Sequence, residues 1–164
     1  AVPRAQLVVL GEPAEPEYAD AVQDLVTQLG IGEAVIFRGR VKREEVLTAL
    51  SGAAVLVVPE QWENVSPVII AEAFARGVPV VASAVGGVAE LVAEGVNGFL
   101  VPRDDPHAFA TAIGRLLEDP VRNASFSAAA LGAVRAKRDP GQLCDRWLAL
   151  YRGLLEGERE PCKS

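Results

Sequence analysis

Two glutamates frame the stretch with the most chemical promise. Glu63 and Glu72 lie in PEQWENVSPVIIAEAFARGVPVVAS, residues 59–83, on either side of Ser66-Pro67. A serine followed by proline is a helix-start signal: the hydroxyl caps the first turn, and proline is favoured at the first helical position. The spacing predicts a helix over 67–76, directly after an apolar, strand-like run at 53–58. In open parallel sheets, ligands collect at the carboxyl ends of strands. A helix start there offers free backbone N–H groups and the positive end of a dipole, which suits phosphate. Pro67 has no N–H, so the donors fall to Val65, Ser66 and Val68. Glu72, near the second turn, is a carboxylate that can accept hydrogen bonds from sugar hydroxyls, as acidic residues do for ribose in dinucleotide sites. Taken by itself, a glutamate there reads more readily as a solvated helix residue.

The elements that must position these groups alternate along the chain. Strands are expected at 6–10, 34–38, 54–58, 78–82 and 99–101. Helices are expected at 16–29, where Tyr18, Val22, Leu25, Val26 and Leu29 recur at helical spacing, and at 42–50, 67–76 and 88–93. Asn97-Gly98 marks a tight turn, Asp105-Pro106 opens a helix to Leu117, and two more occupy roughly 120–136 and 140–156. Short apolar strands alternating with helices predict an α/β fold, a Rossmann-like parallel sheet with helices on both faces. One domain is expected over 1–156, with a polar tail at 157–164. Trp147, with Leu143, Leu148 and Leu150 on the last amphipathic helix, is expected in the core.

Composition narrows the function classes. Half of the 164 residues are apolar, and 16 basic against 22 acidic residues give a net charge of −6. That balance argues against a nucleic-acid partner, whose footprint would be basic. Cys144 and Cys162 match no metal-ligand spacing and fit a reducing compartment. No apolar run is long enough to span a membrane, so a cytoplasmic location is expected. No Gly-x-Gly-x-x-Gly and no Walker-type loop occurs, which leaves nicotinamide-binding and P-loop readings unsupported. His107, the single histidine, lies beside Pro106 at a helix start and reads as an exposed first-turn residue rather than a general base; a Ser-His-Asp hydrolase is discarded.

Several segments taken in order resemble one family. They are LVVLGE (7–12), LGIGEAVIFRGRVKREEV (29–46), AAVLVVPEQWENVSPVIIAEAFARGVPVVAS (53–83), VGGVAELVAEGVNGFLVPRDDP (85–106) and RLLEDP (115–120). Together they are similar to the C-terminal, donor-binding half of the retaining GT-B glycosyltransferases of family 4, the glycosyl transferases group 1. The resemblance implies transfer of a sugar from a nucleotide-diphosphate sugar to an acceptor hydroxyl, without a cofactor or bound metal. It implies that Glu63 is the sugar-side, catalytic carboxylate and that Glu72 binds ribose. It further implies that Asn64, Val65, Ser66 and Val68 surround the diphosphate, that the Arg40-Val41 loop meets the base, and that Gly86 and Gly87 lie near the cleft. From the residues alone, Gly86 and Gly87 serve equally as suppliers of unusual backbone angles, and Arg40 equally as a solvent-facing charge. Trp62 either lines the cleft mouth or packs.

The chain departs from the family pattern in two ways. Eight residues separate Glu63 from Glu72; relatives usually space the pair one residue closer, which places Asn64 where the first carboxylate stands. An amide there can hydrogen-bond sugar hydroxyls but carries no charge. Relatives also have an N-terminal, acceptor-binding domain and a first strand and loop whose Arg and Lys neutralise the donor diphosphate. With Ala1 in place of a methionine and a strand almost at once, both are expected to be missing from this chain. A non-catalytic nucleotide-binding or interaction module of the same fold is the alternative reading. The sugar, base, acceptor and linkage are not written in the sequence.

Overall fold

The computed structural model describes residues 5–63, 66–137 and 140–155. The elements run β1 (Leu7–Val9), α1 (Pro16–Gln28), a 3₁₀ turn (Gly32–Ala34), β2 (Val35–Phe37), α2 (Arg43–Ser51), β3 (Leu56–Val58), α3 (Val68–Phe74), β4 (Val80–Ser83), α4 (Val88–Leu91), β5 (Gly98–Val101), α5 (Pro106–Leu117), α6 (Pro120–Lys137) and α7 (Pro140–Leu155). Each expected strand and helix is present, with ends moved by a few residues.

All strand pairing among the described residues is parallel. β1 pairs with β2, with Val8 opposite Ile36. β3 pairs with β4 (Val57 opposite Val81), and β4 with β5 (Val81 opposite Phe99). The expected single sheet is corrected here: the described strands form two ladders, β1-β2 and β3-β4-β5. The reason is topological. A doubly wound sheet winds outward from a central strand in two halves. Each ladder here has the connectivity of one such half, and no described strand hydrogen-bonds to both.

Side-chain alternation along β4 organises the core. Val80 and Ala82 face one cluster with Ile70, Ala73 and Phe74 of α3, Val88 of α4 and Leu50 of α2. Val81 faces a second cluster with Phe99 and Val101 of β5 and Ala112 and Leu116 of α5. Period-two alternation thus places helices on both faces of this ladder. Helix α6 spans the two clusters, giving Ala130 to the first and Phe126 to the second. Phe126 packs against Phe99 with ring centroids 5.1 Å apart, and the Arg115 guanidinium lies 4.5 Å from the Phe99 centroid.

Two local features lock the ladder to its helices. Asp105 caps α5 by accepting a hydrogen bond from the Ala108 N–H at 2.9 Å, and Pro106 follows in the first turn. Gly98 starts β5 where a Cβ would overlap the Val80 carbonyl, so only glycine permits this approach of β5 to β4.

The expected core role of Trp147 is also corrected. Its relative exposure is 52%, and Leu143, Leu148 and Leu150 are exposed with it. Trp147 stacks on Tyr151, at 6.1 Å, rather than on the core. Helical spacing reports that α7 has an apolar stripe; it does not report a surface for that stripe to cover. Helix α1 behaves alike: Tyr18, Leu25 and Leu29 are exposed, and none of its residues is fully buried.

Candidate functional site

The carboxyl end of β3 feeds the loop that carries most of the candidate residues. Val58 and Pro59 to Trp62 line a hollow of about 260 Å³ at this point. Arg103, in the segment after β5, donates from Nη1 to the Gln61 carbonyl at 3.4 Å and so ties the two loops together. Trp62 lies at the hollow with 73% exposure, which places it at an open rim rather than in packing. Glu63 is exposed. Asn64 and Val65 lie outside the described residues.

The expected Ser66 cap is moved by one residue. Pro67 occupies the N-cap position with φ −61° and ψ 109°, and α3 begins at Val68. The extended ψ of Pro67 keeps it outside the helical turn, while its carbonyl accepts from the Ile70 N–H at 3.1 Å. Proline's missing N–H costs nothing at a position with no intrahelical partner for it. Val68 is exposed at the first helical position.

Glu72 is not a solvated helix residue. Its side chain is only 16% exposed, and Oε1 lies 2.5 Å from Arg43 Nη2 at the start of α2. That contact is an ion pair without hydrogen-bond alignment: Oε1 is buried and has no hydrogen-bond partner. The other such atom among the described residues is the Ser83 hydroxyl, at the carboxyl end of β4. Interiors compensate nearly all their polar atoms, and here the Arg43 guanidinium balances the buried Oε1, so the acceptor capacity left to Glu72 lies on its other oxygen, Oε2. Arg76 fixes the same helices by a separate route. It donates from Nε to the Leu47 carbonyl and from Nη1 to the Glu72 carbonyl, each at 3.1 Å.

The remaining candidates fall around these loops. After β4, the Ala84 N–H donates to the Val101 carbonyl at 2.8 Å, and Gly86 turns the chain into α4 with φ +50°, a conformation that favours glycine. Gly87 caps α4 with an ordinary φ of −73°. After the first ladder, the Gly11 N–H donates to the Gly39 carbonyl at 2.8 Å, which joins the loops leaving β1 and β2. Arg40 follows, exposed, with a 3.9 Å approach to an exposed Glu12, a pair worth little in water. Val41 is half-buried. His107 is exposed in the first turn of α5. Among the described residues, no three His, Cys, Asp or Glu side chains group as metal ligands.

Arg43, Arg76 and Arg103 escape sequence reasoning. Each acts across elements far apart in sequence, so no local spacing announces it.

Parallel ladders with helices on both faces, and a loop-lined crevice at the strand ends, define a Rossmann-like ligand-binding domain. The family follows from comparison. The model of the glycosyl transferases group 1 matches residues 1–132, and the chain belongs to that family. It is 38% identical over 158 residues to D-inositol 3-phosphate glycosyltransferase 1 of Catenulispora acidiphila, covering 95% of this chain and 37% of that protein. Sucrose-phosphate synthase of Thermosynechococcus elongatus superposes with a TM-score of 0.81 at 31% identity, over 94% of this chain and 40% of the other. HepE of Anabaena, solved in complex with UDP, superposes with a TM-score of 0.81 at 25% identity, over 90% and 42%. The chain therefore spans well under half the length of these relatives. These neighbours are GT-B glycosyltransferases, and the fold here is that of a GT-B C-terminal domain. No helix among the described residues is long and apolar enough to cross a membrane.

Proposed function

We propose that this chain is the donor-binding half of a retaining glycosyltransferase, which moves a sugar from a nucleotide-diphosphate sugar to an acceptor hydroxyl. The observation that carries the reading is Glu72, a largely buried carboxylate on α3 whose Oε1 is fixed by Arg43 while Oε2 keeps acceptor capacity. Ribose hydroxyls are donors of the right kind for it. The UDP complex of HepE supports a nucleoside diphosphate as the ligand. In this reading the diphosphate lies by residues 64–68, Arg40-Val41 meets the base, and Gly86-Gly87 lies near the cleft. Glu63 serves the sugar side. The location that fits is cytoplasmic.

A second wall of the site belongs to the same proposal. An acceptor-binding domain supplied outside this chain would cover exposed apolar residues such as Trp147 and Leu148 of α7. A further strand between β1 and β3 would join the two ladders into one doubly wound sheet. One observation favours the alternative, a nucleotide-binding module without catalysis: Glu63 is solvent-exposed and one residue out of the usual spacing. Calorimetric titration of the full-length protein with UDP and with UDP-glucose, followed by a glycosyl-transfer assay, decides. Nucleotide binding with transfer supports the enzyme, binding without transfer supports the module, and no binding removes both.

A further inference from the structure

We propose that Arg43 is a positioning residue for Glu72, holding its carboxylate so that the site favours a ribose over a 2′-deoxyribose nucleoside diphosphate. The inference rests on the nucleotide-binding reading of Glu72 given above. Arg43 is the first residue of α2 and follows the β2–α2 loop that carries Arg40 and Val41. Its Nη2 reaches Glu72 Oε1 on α3 at 2.5 Å. One ion pair therefore links the loop assigned to the base with the carboxylate assigned to the sugar.

The helices do not need this pair in order to pack. Arg76 already bolts α3 to α2 through the Leu47 carbonyl, and Leu50 of α2 is buried in the same cluster as Ile70 and Phe74 of α3. Nor does α2 gain from Arg43, because a cation in the first turn opposes the helix dipole. Glu44 and Glu45 are the first-turn residues that suit it. Arg43 is itself 73% exposed along its side chain, whereas Glu72 is 16% exposed. The guanidinium thus reaches inward from solvent to a carboxylate that is otherwise enclosed. Arg43 takes the buried Oε1, so the carboxylate group is held in place while its other oxygen, Oε2, is left to accept from a hydroxyl.

The test is calorimetric titration of the full-length protein with UDP and with 2′-deoxyuridine diphosphate. Arg43→Ala is expected to weaken UDP about three- to tenfold, the scale of part of one hydrogen bond to a charged acceptor. Binding of the deoxy compound should barely change, so the preference for ribose narrows toward that of Glu72→Gln. Arg43→Lys should restore part of the preference, and Arg76→Lys should leave it unchanged. If Arg43→Ala keeps the wild-type preference while Glu72→Gln abolishes it, Arg43 is only a helix clamp and the inference falls alone. If Glu72→Gln keeps it too, the ribose reading of Glu72 falls and takes this one with it. Tighter UDP binding by Arg43→Ala would show competition with the ligand and also overturn the proposal. Should Arg43→Ala fail to fold, Arg43→Gln keeps the length and planar head without the charge, and the same comparison applies.

Discussion

Glu72 and Glu63 differ in a way that separates their expected contributions. Glu72 is enclosed and held by Arg43; Glu63 is exposed on the loop after β3. Hydrogen bonds to a charged acceptor contribute about 1.5–3 kcal/mol each. Glu72→Gln keeps the shape and removes the charge, so UDP affinity in the full-length protein should fall roughly tenfold or more, at about 1.4 kcal/mol per decade. Glu63→Gln should leave UDP affinity nearly unchanged and weaken UDP-glucose. Titration of both variants with both ligands checks the pair, and a Glu72→Gln protein that binds UDP as wild type does contradicts the assignment. Glu72 stands out in the sequence as a candidate because a strand, a helix start and a carboxylate occur in order within one short segment. Arg43 does not, because its partner is 29 positions away on another helix and only packing brings the two together.

The elements themselves were legible wherever local chemistry sets them. Asp105-Pro106 announces α5, and the side-chain bond to Ala108 realises that signal. Asp105→Ala should therefore cost about 1 kcal/mol, within the usual range for a lost cap, and lower the thermal midpoint measurably. Gly98 makes a sharper demand, because a Cβ would overlap the Val80 carbonyl of the adjacent strand. Gly98→Ala must part β4 from β5 or shift both, at a cost near or above the upper end of the 1–3 kcal/mol range for overpacking, about 3 kcal/mol. A chemical-denaturation midpoint equal to wild type would show that the ladder yields more readily than its geometry implies. The start of α3 and the fate of α7 were less legible, for different reasons. Ser-Pro signals a start without fixing which of the two residues is the cap, and Pro67 takes that place. The apolar stripe of α7 is real in sequence, but a stripe becomes core only where another surface meets it, and residues 141–152 are all exposed.

At the scale of the whole molecule, the two ladders and the exposed α7 have one expectation in common. The β3-β4-β5 ladder has a packed core on both faces, whereas β1, β2 and α1 contribute no fully buried residue. Stability should follow that division. Amide exchange should be slowest in β4, whose four residues are all buried, and faster by orders of magnitude in β1. The same division bears on catalysis. Glycosyl transfer needs the acceptor hydroxyl held against the sugar and water kept out, and in the proposed reading the acceptor-binding half does both. The 164-residue chain on its own is therefore expected to bind UDP weakly and to release no more sugar from UDP-glucose to an acceptor than buffer does. Adding the proposed acceptor-binding half, as one polypeptide, should restore transfer, slow exchange in β1 and reduce the exposure of Trp147, readable as a blue shift of its fluorescence. Sustained transfer by the short chain alone would mean that its loops already assemble the complete site, and the division of labour between two halves would have to be abandoned.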